Sequence, residues 1–485
     1  MKERLWGIMK KWTIILLLGL WSLPLGGCFN LSPRYAPPAP PGSIPSAYKE
    51  EDGWKTAQPR ETVERGPWWR VFSDPTLNGL MDQANTANQN IAVAAANLRQ
   101  ARSQISIARS ALLPIVSAPA SLTRSGSEGQ SAATKYSYGF SAQWEISFWN
   151  AVPAFEAAKA QAEASAADYA TMRLATQAEL AQAYFQLRGM DGQTDLYEST
   201  IEAYKRAVAL TRSQFLGGLV TRVDLDQAET QLAAAQAQLA GIKRQRAELE
   251  HGIAILTGQM PSAFSLPRAS LASQLPAVPT GLPSELLERR PDVAGAERRV
   301  AVANEQIGLA RAAWFPSLTL GGDYLGQAVG FRSAPVWTWS VGPSAALTLF
   351  QGGRRLAESD SAWAVYEAEV ATYRQTVLEA FKDVEDNLSA LRYLALEAEA
   401  QGRAVQSSLS ALRLATSQYQ GGLTTYLQVV TSQTTALSNE RSAIEVQTQR
   451  LVATVNLIKA LGGSFSTNEL PGLVDTPPTL GAAER

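Results

Sequence analysis

Cys28 and His251 are the only cysteine and the only histidine in 485 residues. A single thiol excludes an internal disulfide and any metal site built from thiolates. A single imidazole cannot furnish a catalytic triad or a His-rich zinc centre. His251 lies in a helical pattern and reads as a solvated helix residue. The few chemically apt residues argue against an enzyme, and carboxylate-only chemistry is the catalytic reading left open. The chain therefore reads as a non-enzyme, with no catalytic residue, no metal and no cofactor. A formal net charge of −1 gives no footprint for nucleic acid.

What Cys28 is placed to do is carry a lipid. Lys2, Arg4, Lys10 and Lys11 form a basic start, and Trp12 to Leu25 is apolar but too short for a comfortable span. The run ends in Leu25-Gly26-Gly27-Cys28, which resembles a bacterial lipobox. Several acyl chains on one residue anchor firmly, where one chain would not. Phe29 follows, with no acidic residue to hold the protein at an inner membrane, which points to the outer one. Residues 1–27 are then a signal peptide and 28–66 a lipidated tether, extended by the proline density of "LSPRYAPPAPPGSI" at Leu31–Ile44. No later run of about 20 apolar residues suggests a helical span.

The elements that follow come in two copies. "IARSALLP" at Ile107–Pro114 returns as "LARAAWFP" at Leu309–Pro316, and "SQFLGGLVT" at Ser213–Thr221 returns as "SQYQGGLTT" at Ser417–Thr425. A long unit has been duplicated, rather than a short-period solenoid. The first unit is placed at 67–282 and the second at 283–463, with a tail at 464–485. Within "PSELLERRPDVAGAERRV", Pro283 or Ser284 begins the second unit's first helix. Each unit reads helix, strand, strand, long helix, helix. Helices are expected at 76–112, 151–216 and 221–257, then at 284–313, 353–419 and 425–461. The long ones would extend on the order of 100 Å, a length that calls for coiled-coil partners. Leu423, Val430, Leu437, Ile444, Leu451 and Ile458 fall seven apart, as do Leu225, Leu232 and Leu239, with Ile253 after a break at Arg246.

The strands separate this chain from a plain helical bundle. Tyr136, Tyr138, Phe140, Ala142, Trp144, Ile146 and Phe148 alternate with Ser137, Gly139, Ser141, Gln143, Glu145 and Ser147. Trp337, Trp339, Val341, Pro343, Ala345, Leu347 and Leu349 alternate in the same way with small and polar residues. Weaker partners are expected at 113–124 and 315–325, with exposed loops at Arg124–Lys135 and Gly326–Pro335. Aromatic-rich alternation of this length matches a transmembrane barrel, with Tyr138, Phe140, Trp144, Trp337, Trp339 and Leu347 on the lipid face. Four strands cannot close a barrel, because every edge in lipid must be paired. A dimer, trimer or tetramer would supply about eight, twelve or sixteen.

These pieces together resemble the TolC-like outer membrane factor family, in its NodT/OprM-like lipoprotein branch. The resemblance rests on the lipobox, on "PWWRVFSDPTLNGLMDQA" at Pro67–Ala84, on "LLERRPDVAGAERRVAVANEQIGLARAAWFPSLTL" at Leu286–Leu320 and on "LTLFQGGRR" at Leu347–Arg355. It covers nearly all the chain after Leu31. It implies a mixed α and β fold: a homotrimer with a twelve-stranded outer-membrane barrel continued by a coiled-coil periplasmic tunnel. It implies a passive exit duct of a tripartite efflux pump. The partners would be a periplasmic membrane-fusion adaptor, an inner-membrane pump of the resistance-nodulation-division type and outer-membrane lipid. The adaptor would meet the helix-to-helix turns, Gly217, Gly218, Thr221 and Asp224 in the first unit and Gly421, Gly422, Thr424 and Thr425 in the second. Thr221 and Thr425 would cap the returning helices. The channel of a type I protein secretion system is a related reading. A lipid-anchored scaffold or adhesin without a pore is a different one, and it would leave the aromatic strand faces in water.

This sequence departs from the family in two places. No Asp or Glu occurs between Glu399 and Glu440, so the second turn is nearly uncharged while Asp224 and Asp226 sit at the first. The Gly-Arg pair present at Gly353-Arg354 is replaced in the first unit by "SFWNAVPA" at Ser147–Ala154, so the strand-to-helix bend is expected to differ between the halves.

Overall fold

The computed structural model describes residues 30–42, 44, 48–49, 67–129, 131–272, 275–276, 289–330 and 333–463. The signal peptide, Cys28, most of the stretch after Ser43 up to Gly66, the helix start expected at 284 and the tail from 464 lie outside them. The chain divides into one unit of residues 1–36, 102–160 and 300–368 and another of 37–101, 161–299 and 369–485.

The helices are α1 (Pro75–Ala87), α2 (Gln89–Ser110), α3 (Phe148–Leu216), α4 (Arg222–Leu256), α5 (Pro291–Ala312), α6 (Arg354–Gln420) and α7 (Tyr426–Ala460). The strands are β1 (Ile115–Ser117), β2 (Ala120–Ser125), β3 (Ala133–Glu145), β4 (Ser317–Val329) and β5 (Val336–Ala346). β1 and β2 pair with β3 in a single register, Ile115 opposite Gln143 and Ala120 opposite Tyr138, so they are one strand interrupted at Ala118-Pro119. Proline has no N–H for a ladder, which is why the break falls there. The sheet order is then β1/β2, β3, β4, β5, all antiparallel, and β3–β4 joins the two repeats. β2 and β4 run further than the sequence suggests, to Ser125 and Val329, so the turns between partners are shorter than expected. Ile146, Phe148, Leu347 and Leu349 fall beyond the strand ends.

The strand-to-helix bends do differ. Two residues separate β3 from α3, whereas seven separate β5 from α6, including Gly352 and Gly353 at φ 60 and 87. A non-glycine side chain disfavours that region, so "SFWN" cannot make the second bend and the helix starts at once instead.

In the other unit the helix expected over 76–112 is broken at Asn88. Its Oδ1 accepts from the amides of Asn90 and Ile91 at 2.9 and 3.1 Å, capping α2, while its Nδ2 donates to the Leu256 carbonyl at 2.9 Å. A second junction repeats this one. Arg290 stands 202 residues on, before α5, which has the same 22 residues as α2. Its Nη1 donates at 3.2 Å to the carbonyl of Ala460, the last residue of α7. The same Nη1 donates to Asp383 at 3.1 Å, and the Arg290 Nε and Nη2 grip Asp292 at 3.0 and 2.7 Å. A Cβ on Gly258 would strike the Ala87 carbonyl, and one on Gly462 the Arg289 carbonyl. The "RRPD" run is thus a staple between the start of one helix and the end of another.

The apolar core gathers Trp68, Trp69, Leu77, Met81, Leu180, Tyr184, Phe185, Ile253, Leu451 and Val455. The seven-residue stripe points inward along most of α7, with Val430, Leu451 and Ile458 buried. Leu423 departs from it, because it lies in the turn before α7 and is 82% exposed. Gly189 and Gly192, weak helix formers, lie where α3 meets α7: a Cβ on Gly189 would strike the Thr448 hydroxyl, and Gly192 faces Ile444.

Arg246 breaks the α4 stripe for a reason. Its guanidinium reaches Asp191 at 2.7 Å, Glu250 at 3.1 Å and the Leu266 carbonyl at 2.6 Å. Asp191 is fully buried and also receives Arg188 at 2.9 Å. Paired and hydrogen-bonded charges can be kept inside a protein, whereas a lone one cannot. This cluster pins the segment after α4 to both helices of the hairpin.

Replacing Gly258 or Gly462 with Val should lower the unfolding midpoint, because both carry positive φ and lack room. Gly241→Ala, in the open middle of α4, should raise stability by about 0.5–1 kcal/mol. Thermal melts of the three variants against wild type check the signs.

Candidate functional site: the two-faced sheet and the hairpin turns

Period-two alternation becomes two chemically distinct faces once the register is fixed. On one face Phe140, Tyr324 and Trp339 form a row across three strands. Beside it Tyr138, Gly326 and Trp337 form a second row, and the missing side chain of Gly326 leaves space for the Trp337 ring. Trp337 meets Tyr138 edge-on at 5.5 Å and stacks on Tyr324 at 4.9 Å. Further along the same face lie Ala142, Gly322 and Val341, then Trp144, Leu320 and Pro343. The opposite face is mostly polar or small: Ser117, Ser141, Asp323 and Ser340 form one row and Glu145, Thr319 and Ser344 another, with Leu325 between Gly139 and Thr338 and with Ile115, Val329 and Val336 nearer its ends.

The aromatic face is largely uncovered. Trp339 is 76% exposed, and Phe140, Tyr324 and Val341 are exposed with it. A water-soluble sheet would bury such a face, so its exposure fits a lipid solvent. Of the six lipid-face residues expected from sequence, Tyr138, Phe140, Trp337 and Trp339 share this surface. Trp144 lies on it but is half-buried, its indole N–H donating to the Leu112 carbonyl at 3.0 Å. Leu347 follows β5 and is not part of the sheet. Tyr324, the centre of the aromatic row, sits in a strand whose glycines and Asp323 blur the alternation.

Among the described residues both outer strands have one unpaired side. The β1/β2 edge runs from 115 to 125, interrupted at Ala118-Pro119, and the β5 edge from 336 to 346, so the two edges span equal lengths. Proline occurs in both, at Pro119 and Pro343.

The two hairpin turns are near copies. Leu219 N donates to Gln214 O at 2.9 Å and Leu423 N to Gln418 O at 2.8 Å, each closing the helix C-terminus in a Schellman arrangement. Gly218 and Gly422 take φ 73 and 72, which glycine alone adopts freely. Gly217 and Gly421 precede them with ordinary φ. At the first turn Thr221 and Asp224 form a reciprocal capping box, with Thr221 N donating to Asp224 at 2.9 Å. Thr425 makes no side-chain cap, contrary to expectation; the amide of Gln428, at the position matching Asp224, donates to the Thr425 carbonyl at 3.2 Å. Arg222 pairs with Asp226 at 2.9 Å beside the first turn. Thr424 is half-buried at the second. Leu219 and Leu423 project from the two turns at 78% and 82% exposure. They were legible as repeats of one letter but not as exposed, since a leucine at heptad spacing reads as core.

Behind the turns Tyr419 donates to Gln214 at 3.0 Å and its ring lies 5.5 Å from that of Tyr426. Burial first, then the proximity of Tyr419, Tyr204 and Asp224, pushes the Tyr426 phenol up to about 12, so it stays protonated. Higher on the hairpin, hydrogen bonds from Arg268 and then Lys243 hold the Glu198 carboxyl at about 2. His251 is exposed on α4. Among the described residues no helix is long and apolar enough to cross a membrane, and no cluster of His, Cys, Asp and Glu is arranged to hold a metal.

The family model for outer membrane efflux proteins matches residues 80–259 and 282–463. The chain is 30% identical over 467 residues to the probable efflux pump outer membrane protein TtgC of Pseudomonas putida, covering 93% of this chain and 96% of that one. It is 29% identical to the pyoverdine export outer membrane protein OpmQ of Pseudomonas aeruginosa, over 92% of this chain and 97% of that one. Among solved structures, the outer-membrane channel OprN superposes with a TM-score of 0.80 at 29% identity, over 89% of this chain and 98% of that one.

Trp339→Arg should reduce the folded fraction in bilayers by an amount worth about 2–4 kcal/mol, whereas Ser340→Arg on the polar face should be tolerated; urea titrations of membrane-folded protein separate the two. Glu198 should stabilise the fold fully above its ordinary value near 4.5 and lose that contribution as pH falls toward about 2. The midpoint difference between wild type and Glu198→Gln should therefore shrink across that window, and it should be absent at every pH in an Arg268→Ala, Lys243→Ala background.

Proposed function

The chain belongs to the outer membrane efflux protein family, and from that premise we infer that it is the outer-membrane exit duct of an efflux pump. The observation that carries this reading is the sheet: one aromatic face, one polar face, and two unpaired edges of equal length. In lipid each unpaired backbone group costs several kcal/mol, so the edges must pair. β5 of one copy beside β1/β2 of the next satisfies both with one repeated contact, and rotational symmetry closes the ring. Three copies give about twelve strands, enough for an aqueous lumen lined by the Ser141–Asp323–Ser340 face.

A duct of this kind transfers no bond and carries no reaction. Its cargo is a small molecule, and an inner-membrane pump of the resistance-nodulation-division type supplies the energy and the selectivity. A periplasmic adaptor protein reaches the hairpin turns. Gly217, Gly218, Thr221 and Asp224 on one turn, and Gly421, Gly422, Thr424 and Thr425 on the other, shape the docking surface, and the exposed Leu219 and Leu423 offer it apolar contacts. Cys28 carries the acyl chains that hold the protein at the outer membrane.

Light scattering of the detergent-extracted protein, with detergent subtracted, tests the closure. A mass three times that of the processed chain, which is somewhat less than the 52.2 kDa of all 485 residues, is expected; a monomer that stays in solution without detergent overturns the duct. In cells, Leu219→Asp with Leu423→Asp should abolish resistance to exported compounds while the amount of trimer is unchanged, and unaltered export would remove the turns from the docking surface.

A further inference from the structure

Arg124 was expected to open an exposed loop. β2 instead runs on to Ser125, and its register sets Arg124 opposite Thr134. Even positions of β2 and β3 share the aromatic face, because Ala120 lies opposite Tyr138 and Leu122 opposite Tyr136. Arg124 therefore projects from the same face as Tyr138, Phe140 and Trp339, just beyond Leu122 and Tyr136. Among the described residues it is the only charged side chain that the strands place on that face; Lys135, Glu145 and Asp323 are on the other. It is exposed, and among the described residues no carboxylate pairs with it.

The strand sets its depth. Trp144 lies ten residues along β3 from Thr134, which is about 33 Å of extended chain. At a strand tilt of about 35–45° this covers roughly 23–27 Å of height, against an apolar band about 25 Å tall in outer-membrane barrels. A cation in the middle of that band is strongly disfavoured, whereas one at its margin costs little. Arg124 stands at the margin. The turns at 126–132 and 330–335 close this end of the sheet, and the other end runs into α2, α3, α5 and α6.

A second donor stands beside the guanidinium. Gly139 donates to the Pro119 carbonyl at 3.2 Å, and bonded and non-bonded pairs alternate along an antiparallel ladder. Arg124 and Thr134 lie five positions further on, so they form a non-bonded pair. Side chains approach most closely in such pairs, with Cβ atoms about 4.5–5.5 Å apart. The Thr134 carbonyl is taken by the Gly330 amide at 2.8 Å, and among the described residues its hydroxyl has no partner. A guanidinium fork with a hydroxyl at its side matches the oxygens of a phosphate.

We propose that Arg124 and Thr134 bind the phosphate of a phosphorylated lipid headgroup in the outer leaflet, which fixes the height of the sheet in the bilayer. The proposal rests on the duct reading, which puts the turns outside the cell. A lipid is the source that the surroundings favour. Leu122 and the Tyr136 ring lie directly beneath the pair, where the acyl chains of the same molecule would run; a free anion would gain nothing from them.

Native mass spectrometry of the full-length, detergent-extracted protein tests this. The probe is bis-phosphorylated lipid A, with dephosphorylated lipid A and inorganic phosphate as comparisons. Arg124→Gln should weaken binding of the phosphorylated lipid by about tenfold or more. Arg124→Lys should fall between that variant and wild type, and Lys135→Gln, on the opposite face, should match wild type. Equal binding by wild type and Arg124→Gln overturns the site. Equal binding of the dephosphorylated lipid also overturns it, because acyl contacts would then suffice. Displacement of the lipid by equimolar inorganic phosphate overturns the lipid as ligand. The same spectra report the oligomer. A monomer overturns the duct, whereas an intact trimer that binds the lipid equally with and without Arg124 overturns the headgroup site alone.

Discussion

An unpaired peptide group in hydrocarbon has no water to turn to, and the architecture of this chain follows from that constraint. Among the described residues its sheet has four strands, too few to close, and both of its edges are bare over spans of equal length. A single copy therefore cannot be a finished membrane structure. The exposed Phe140–Tyr324–Trp339 row has no place in water, and the bare edges have no place in lipid without a neighbour. Oligomerisation is what makes the two demands compatible.

Duplication then explains how one chain supplies matched parts. The junction of Asn88 with the end of α4 recurs as that of Arg290 with the end of α7, and a glycine with no room for a side chain follows each. A copied junction orients a copied helix pair, so the two hairpins end in turns with the same hydrogen bonds and the same exposed leucine. Copies that must do the same work stay alike. Where they serve different ends they have drifted: the capping box and charges at the first turn and the glycine bend before α6 belong to one repeat each.

Polar groups inside the helical unit are handled by pairing rather than by exclusion. Asp191 sits at zero exposure because Arg188 and Arg246 both reach it, and removing both partners would strand a buried charge. Arg246 occupies a position where the stripe calls for leucine. The local loss of apolar packing is offset by fastening the chain that follows α4 to both helices.

Much of this was written in residue type and spacing. The duplication, the helix and strand periods and the family resemblance are all local or periodic properties, so they survive in one dimension. The alternation from Tyr136 to Glu145 specified a strand because pleating alone puts alternate side chains on opposite faces. Other features depend on groups far apart in sequence, and no period encodes them. Only the fold joined Asn88 to Leu256, set Gly189 against Thr448, and turned Trp144 to the Leu112 carbonyl. Leu423 and Leu451 lie on one heptad stripe, yet one is exposed and the other buried, since burial belongs to the neighbours and not to the residue. The N-terminal segment reads as a leash from its prolines, and only tertiary structure fastens it, because the Ser32 hydroxyl finds its acceptor in Glu305, more than 270 residues away.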